Sequence, residues 1–431
     1  MFNTKNITLL VLLAILVNHQ SIIYSQVEFE NYFREGALRI DYFHGGTNNS
    51  EFFILDELIK EKYWAGNKDK LLIPFDYGKY QILVKDFIKN KIIYSYNYST
   101  LFSEWQTTEE AKNISKIFHE TVIIPYPKNQ VLVEFYSRDS LNNLKLKFDL
   151  KINPDDPYIR KDKKGGFSSI SILESGNFSK KVDIVIIPEG YTIKDSIKFY
   201  NDALRFKEYL FNSSPFKENK DKFNINLVFA WSEETGTDIP PENTWKNTII
   251  NSRFYTFYLD RYLMTSDNKT LRDIASNVPY DQIYILVNTD EYGGGAIYNH
   301  YAVCVSDNKF SEYIFTHEFG HSFAFLADEY YNSEVAYDNF YRLDIEPLEP
   351  NITTLVDFNK KWKNMISENV PIPTPAVKEY LNKVGVFEGG GYSVKGIFRP
   401  QFDCTMKSIS VDNFCAVCKA SIEKMINYYC E

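Results

Sequence analysis

Histidine and cysteine are both scarce in this sequence, which holds 6 His and 5 Cys in 431 residues. All five cysteines lie in the carboxyl-terminal third, so none is near the amino terminus to carry a lipid anchor. The one long apolar run, at residues 7–17, is too short to span a bilayer. The net charge of −9 argues against nucleic acid and anionic membranes as partners.

Residues 1–25 are predicted to be a signal peptide rather than an element of the fold. Lys5 is the only charged residue in this segment, the apolar run follows it, and residues 23–25 resemble a cleavage site. The remaining chain is therefore expected to be exported and soluble, either secreted or retained in the periplasm or at the cell surface.

The cysteines form one local cluster, in which Cys404 precedes the Cys-x-x-Cys pair Cys415 and Cys418. Export makes disulfides possible. A second zinc site here would need four ligands, and no His lies nearby. We therefore expect a disulfide from Cys404 to Cys415 or Cys418, while the pairing of all five cysteines, with Cys304 and Cys430, stays open.

About 400 residues after the signal peptide are too many for one core of ordinary size, so two domains are expected. Residues 26–155 are predicted to form a β sandwich, because short strand patterns with turn residues between them recur along this part. The clearest strand is at residues 144–152, where apolar and polar residues alternate. The other predicted strands are at residues 37–42, 79–84, 92–98, 121–124 and 130–136. A charged, turn-rich segment at residues 156–166 is the predicted linker.

Residues 167–431 are predicted to be a second domain with a mixed sheet. Apolar runs typical of buried strands occur at residues 182–187, 223–231 and 282–288, and a helical pattern occurs at 193–211. A glycine loop at residues 293–299 is expected to lead into a strand at 301–305. Because strands and helices alternate, helices should cover the sheet, and the whole chain is assigned to the α+β class.

Residues 311–331 contain His317, Glu318 and His321 in the pattern His-Glu-x-x-His. Each residue of a helix advances about 100°, so the two His lie on one face and can both bind one zinc ion at about 2.0–2.1 Å. Glu318 can hold the water bound to such an ion and accept its proton. The alternative, two ordinary core histidines, is weakened because two acids, Asp328 and Glu329, follow the motif. The pattern indicates a zinc peptidase.

A catalytic zinc takes three protein ligands and keeps one position for water, so a third ligand is needed. His300 is near in sequence, but it follows the glycine loop, and we expect it to line the cleft. Asp328 is the preferred candidate and Glu329 its competitor. In a continuous helix Asp328 would lie about 10 Å too far along, so it can bind only if the helix ends near residues 324–327 and the chain turns back.

Several blocks of the sequence resemble the bacterial IgA-cleaving zinc metallopeptidase family. They are residues 37–42, 182–192, 293–299, 317–330, 387–392 and 399–406. The resemblance implies a metzincin-like catalytic domain after the β sandwich, with His317, His321 and Asp328 on Zn2+ and Glu318 as general base. Metzincins usually have Gly three residues after the second His and a ligand three residues further on, where this chain has Ala324 and Ala327.

The same resemblance gives Met406 a candidate role as the Met-turn under the metal site. The alternative, an ordinary core methionine, is compatible with that role because the residue is not a ligand. Tyr392, in a glycine-rich loop, is predicted to donate its hydroxyl to the oxyanion of the tetrahedral intermediate. Arg399 either positions substrate or supports the structure.

The predicted function is that of a secreted zinc endopeptidase that hydrolyses protein or glycoprotein substrates with a water activated by Glu318. One alternative is a catalytically silent protein that retains the peptidase fold and binds glycoproteins or carbohydrates. The intact His317, Glu318 and His321 argue against it. Another is a zinc hydrolase of small amides. The substrate and the oligomeric state are not predicted, because a fold does not determine specificity.

Overall fold

The computed structural model describes residues 27–161, 166–331, 340–411 and 413–431. The predicted signal peptide at residues 1–25 lies outside the described residues, as do residues 162–165 of the predicted linker. Within the described part of the chain, no helix is both long and apolar enough to cross a membrane.

The amino-terminal part is a sandwich of two antiparallel sheets, with strand orders β2-β1-β5 and β4-β3-β6-β7. Its strands are β1 Phe33–Gly46, β2 Glu51–Glu61, β3 Tyr80–Asp86, β4 Ile92–Tyr98, β5 Lys116–Pro127, β6 Val131–Arg138 and β7 Leu144–Ile152. In β3 the side chains alternate between the buried core and a half-exposed face, with Tyr80, Ile82 and Val84 pointing inward. The predicted β sandwich is confirmed. Strand β2 was not predicted, because it is an edge strand in which exposed and half-buried residues follow no clean alternation.

The carboxyl-terminal part contains a mixed six-stranded sheet and a separate hairpin. Its strands are β8 Ser169–Leu173, β9 Val182–Glu189, β10 Phe223–Val228, β11 Gln282–Val287, β12 Gly294–Ile297, β13 Tyr301–Val305, β14 Phe387–Gly390 and β15 Ser393–Arg399. The α-helices of the whole chain are α1 Phe29–Tyr32, α2 Leu101–Trp105, α3 Glu109–Asn113, α4 Ser196–Asn212, α5 Asn268–Ala275, α6 Ser311–Ala324 and α7 Ala416–Cys430. Short 3-10 helices lie at Phe178–Lys180, Ile193–Asp195, Lys217–Lys222, Pro240–Glu242, Thr256–Tyr258, Phe358–Lys360 and Lys363–Met365.

The six-stranded sheet has the order β12-β13-β11-β9-β10-β8, with the four central strands parallel and both edge strands antiparallel. Every residue of β9 and β11 is buried, as expected for parallel strands covered on both faces. Helix α6 packs on β12, β13 and α4. Phe315 of α6 contributes to this core, since its ring stacks on Tyr284 of β11 with centroids 4.1 Å apart. This packing fixes the position of the His-Glu-x-x-His helix.

The prediction of a glycine loop at residues 293–299 is wrong for Gly294–Ile297, which form the edge strand β12. A Cβ on Gly294 would lie 2.7 Å from Ile314 Cγ2, so glycine allows α6 to approach the strand closely. The outer side of the strand is partly covered. The Gly294 N–H donates to the Arg261 carbonyl, and the Gly294 carbonyl accepts from the Leu263 N–H.

The two domains are joined by buried polar contacts. The Arg39 guanidinium in β1 forms a bidentate pair with Asp41, at 2.8 and 2.7 Å, and donates to Asp273 Oδ1 of α5 at 2.7 Å. Asn299, before β13, donates from its side-chain amide to the Asn97 carbonyl of β4 at 2.8 Å. These bonds hold the sandwich against the carboxyl-terminal part of the chain.

Candidate active site

Helix α6 presents His317 and His321 on one face, with their Nε2 atoms 3.1 Å apart. The other face carries Phe315, Phe319 and Phe323, which are all buried in the core of the carboxyl-terminal domain. One face of the helix is therefore held by packing, and the other lines a cleft of about 1040 Å3.

The helix ends at Ala324, because Phe325 adopts a left-handed conformation with φ of 54°. The Phe325 N–H donates to the His321 carbonyl and the Leu326 N–H to the Gly320 carbonyl, which is the hydrogen-bond pattern of a helix stop that usually has glycine at this position. The chain thus turns back without glycine, and Asp328 returns to the two histidines. Its Oδ1 lies 3.1 Å from His317 Nε2 and 3.3 Å from His321 Nε2.

Backbone carbonyls fix the tautomers of both imidazoles. His317 Nδ1 lies 3.1 Å from the Thr405 carbonyl oxygen, and His321 Nδ1 lies 2.5 Å from that of Leu326. Because a carbonyl oxygen only accepts, each Nδ1 carries a proton, so Nε2 is the atom of each ring that can bind an ion. The two Nε2 atoms converge on Asp328 Oδ1, which is buried without a hydrogen-bond donor. Two imidazoles and a carboxylate at this spacing fit a divalent ion such as zinc.

The local electrostatics also favour positive charge at this point. Burial alone would raise the pKa of Asp328, but His321 and His317 hold that pKa well below its usual range. Burial alone would lower the pKa of His321, but the Asp328 carboxylate raises it to about 9. Burial raises the pKa of Glu318, against the opposing effect of His317 and His321. Glu318 lines the same cleft and is suited to accept a proton there.

Glu329, the competing third ligand, points away from the two histidines. Its Oε1 accepts from Asn351 Nδ2 at 3.0 Å and lies 3.2 Å from Cys418 Sγ. The structure therefore brings Asp328, and not Glu329, to His317 and His321.

Tyr392 lies beside the three converging side chains. Its hydroxyl donates to Asp328 Oδ2 at 2.5 Å, and its backbone N–H donates to the Tyr330 carbonyl at 3.0 Å. The residue has a φ of 65° and follows Gly391, whose N–H donates to the Asp328 carbonyl. The loop is thus hydrogen-bonded to the segment that carries Asp328, and the predicted oxyanion donor contacts that carboxylate.

Met406 lies under the motif helix. A Cβ on Gly320 would be 3.0 Å from Met406 Sδ, and the Met406 carbonyl accepts from the Glu329 N–H at 2.8 Å. Met406 therefore packs against the helix that carries the two histidines, and its role as a Met-turn stays a prediction. Arg399 is buried and donates to the carbonyls of Glu388, Gly389 and Phe402, so it supports the loop rather than facing the cleft.

The expectation that His300 lines the cleft is wrong. The side chain is buried, and its Nε2 lies 2.9 Å from Asn268 Oδ1 of α5. The reason is that strand β12 turns directly into β13 at this residue, so the imidazole enters the domain interface. The expected disulfide is also not formed, since all five cysteines are free thiols and the Cys404 and Cys418 sulfurs are 3.9 Å apart.

Several cleft residues were not found from the sequence. Glu104 of α2 comes from the amino-terminal domain, accepts a hydrogen bond from the Tyr262 hydroxyl, and has its pKa raised to about 7 by burial. The Tyr313 hydroxyl lies 3.3 Å from His317 Nδ1, and Arg261 lies over the Tyr330 ring at 5.8 Å. No short motif marks these residues, because they meet the site only through the tertiary fold.

Comparison with protein-family models agrees with this architecture. A model described as IgA Peptidase M64 matches residues 170–383 and 378–426, and one described as Peptidase M64 N-terminus matches residues 28–149. No curated protein matches the chain. Members of the matched family are peptidases, so the chain is a hydrolase of peptide bonds. The predicted family is confirmed: the chain belongs to the IgA Peptidase M64 family.

Proposed function

We propose that the protein is an exported, zinc-dependent endopeptidase whose metal is held by His317, His321 and Asp328 and whose general base is Glu318. The observation that carries the proposal is the convergence of two Nε2 atoms and one carboxylate oxygen, 3.1–3.3 Å apart, on the wall of a large cleft. Three protein ligands with an open side are the arrangement of a catalytic zinc site.

A zinc ion bound there would act as a Lewis acid on the scissile carbonyl and lower the pKa of a water. Glu318 accepts the proton of that water as its oxygen attacks the carbonyl carbon, and then returns the proton to the leaving amine. No side chain of the site forms a bond to the substrate, so no acyl-enzyme accumulates. The Tyr392 hydroxyl is the proposed donor to the oxyanion, and reaching it requires exchange of its bond to Asp328.

The substrate class is protein or glycoprotein. The cleft is lined by both domains, with Glu104 and Arg138 on one side and Arg261 and Glu318 on the other, and its volume of about 1040 Å3 fits an extended polypeptide segment. The walls carry both acidic and basic groups, so recognition is expected to use several side chains of the substrate. The family description names IgA, which makes IgA the first substrate to assay.

The test compares the wild type with Glu318→Gln in zinc content and in cleavage of IgA and of a denatured protein. We expect bound zinc in both proteins and a loss of cleavage of about 1000-fold or more in the variant, because only the base is removed. Glu312→Gln, an exposed change on the same helix, is the matched control and should cleave like the wild type. Equal cleavage by Glu318→Gln, or no zinc in the wild type, would reject the proposal. Zinc and IgA binding without any cleavage would support the binding-protein alternative.

A further inference from the structure

A second group of metal-binding side chains lies behind the candidate active site. It consists of Glu329 from the segment after α6, Cys404 from the segment after β15, and Cys415 and Cys418 at the start of α7. One ligand atom from each residue lies within 4.8 Å of the other three. All four residues are buried, and Glu329, Cys404 and Cys418 are completely inaccessible to solvent.

The surroundings of this group suit negatively charged ligands. The Cys415 N–H donates to Cys404 Sγ at 3.2 Å, and the Cys418 N–H donates to Cys415 Sγ at 3.4 Å. The Cys418 N–H belongs to the first turn of α7, and Cys415 is the N-cap of that helix, where the helix dipole stabilises negative charge. Hydrogen bonds from backbone N–H groups to sulfur stabilise thiolates.

The Glu329 carboxylate supplies an independent indication of a ligand. Its Oε2 is buried and has no hydrogen-bond partner, while Oε1 accepts from Asn351 and lies beside Cys418 Sγ. An uncompensated carboxylate in the interior is costly, and a bound cation removes that cost.

A disulfide does not account for the group. Joining any two of the three cysteines would leave the third thiol in the interior beside the Glu329 carboxylate, whose Oε2 would still have no hydrogen-bond partner. The spacing also fits a metal better. Sulfurs about 2.3 Å from a tetrahedral zinc are about 3.8 Å from each other, and the Cys404 and Cys418 sulfurs are 3.9 Å apart.

We propose that Cys404, Cys415, Cys418 and Glu329 form a second, structural zinc site. Zinc binding releases the protons that the three thiols and the Glu329 carboxyl carry, so four anionic ligands close a tetrahedral shell. Soft thiolate ligands select zinc over magnesium or calcium. Because all four positions are filled by protein, this site leaves no place for water and has no catalytic part.

The second site lies directly beside the segments that position the ligands of the candidate active site. Glu329 directly follows Asp328, and the Glu329 N–H donates to the Met406 carbonyl. Cys404 precedes Thr405, whose carbonyl contacts His317 Nδ1. The second zinc would therefore clamp the segment carrying the third catalytic ligand to the turn that supports the first one.

The test measures zinc per chain by mass spectrometry and the zinc environment by X-ray absorption, on the full chain. We expect two zinc ions in the wild type. The double variant His317→Ala/His321→Ala should keep one zinc with sulfur neighbours at about 2.3 Å. Cys415→Ser should lose that sulfur signal and about half of the zinc, while Cys430→Ser, a partly exposed thiol outside the group, should keep both ions.

The proposal is overturned if the double-histidine variant binds no zinc, if its zinc shows no sulfur neighbours, or if the purified wild type contains a disulfide among the three cysteines. The X-ray absorption of the double-histidine variant decides the question even where Cys415→Ser does not fold. That measurement is separate from activity, so the catalytic proposal can fail while the sulfur-ligated zinc remains.

Discussion

The Tyr392 hydroxyl donates to Asp328 Oδ2 at 2.5 Å, while the other oxygen of the same carboxylate faces both histidines. The tyrosine therefore orients a candidate metal ligand. Outer partners of this kind typically change metal affinity or activity by about 10–100-fold. Burial and the Asp328 carboxylate raise the pKa of the Tyr392 hydroxyl well above its usual range. The hydroxyl therefore stays protonated and can donate.

Replacing Tyr392 by Phe is expected to weaken zinc binding by about 10–100-fold, because Asp328 loses the donor that orients it. A competing chelator measures this affinity. Tyr341→Phe, whose hydroxyl donates to Glu349 in the same cleft, should bind zinc like the wild type. If Tyr392→Phe keeps its zinc affinity and loses only kcat, the tyrosine acts on the oxyanion instead.

Asp328→Asn and Glu329→Gln are expected to differ although the two residues are neighbours. Asp328→Asn removes the charged partner of His317 and His321, so cleavage should fall by more than about 100-fold and the zinc held by the histidines should be lost. Glu329→Gln should retain that zinc. Loss of the histidine-bound zinc in Glu329→Gln but not in Asp328→Asn would reverse the assignment.

Gly294→Ala is expected to impair both stability and turnover. The new methyl group would lie 2.7 Å from Ile314 Cγ2 and 3.3 Å from Glu318 Cγ, so helix α6 or the base must shift. Overpacking of this kind costs about 1–3 kcal/mol, which urea unfolding measures. Gly166→Ala is the control, because its added Cβ would meet nothing within 4 Å. Unchanged unfolding and kcat for Gly294→Ala would show that α6 tolerates the displacement.

Asp273→Ala is expected to destabilise the protein by about 1–3 kcal/mol, since it removes a hydrogen bond to the Arg39 charge at the domain interface. The matched control is Asp155→Ala, which breaks an exposed Arg34–Asp155 pair and should cost less than about 1 kcal/mol. Equal losses of unfolding free energy in the two variants would mean that the interfacial pair stabilises the fold no more than an exposed surface pair does.

Asp183 and Asp281 predict a pH dependence of stability. Burial raises the pKa of both carboxyls, and the charge of Asp281 raises that of Asp183 further. The unfolded chain loses these protons near pH 4 and the folded protein only at higher pH, so between these limits the folded state binds more protons and stability falls as pH rises.

Asp281→Asn should therefore be less sensitive to pH. Its Oδ1 can still accept from the Asp183 N–H, as Asp281 Oδ2 does at 2.9 Å. Urea unfolding at pH 5 and pH 8 should show a smaller difference for Asp281→Asn than for the wild type. Asp221→Asn, on the exposed surface, serves as the control. An unchanged difference in Asp281→Asn would mean that the pair ionises as ordinary carboxyls do.

Local patterns were enough to predict the motif helix, the buried strands β9 and β11 and the sandwich, since periodicity is a property of short segments. The choice between Asp328 and Glu329 depended on the left-handed conformation of Phe325. That conformation could not be predicted from the sequence, because the residue that usually adopts it at a helix end is glycine. Glu104 lies more than 200 residues before the motif, so only the tertiary fold could bring it to the cleft.

The disulfide expectation failed for a related reason. Spacing identified Cys404, Cys415 and Cys418 as a group, but the fourth member, Glu329, comes from a distant segment and its residue type is common on surfaces. Its burial beside the three sulfurs is visible only in three dimensions.

The contact between Glu104 and Tyr262 joins the sandwich to the carboxyl-terminal part, so it affects whether either part can be expressed alone. A peptidase half expressed without the β sandwich would lack one wall of its own cleft and would expose the Asp273 and Asn299 contacts. The two halves should therefore be expressed or exchanged together. We expect substitutions in α2 of the sandwich to alter cleavage preference without changing the His-Glu-x-x-His helix.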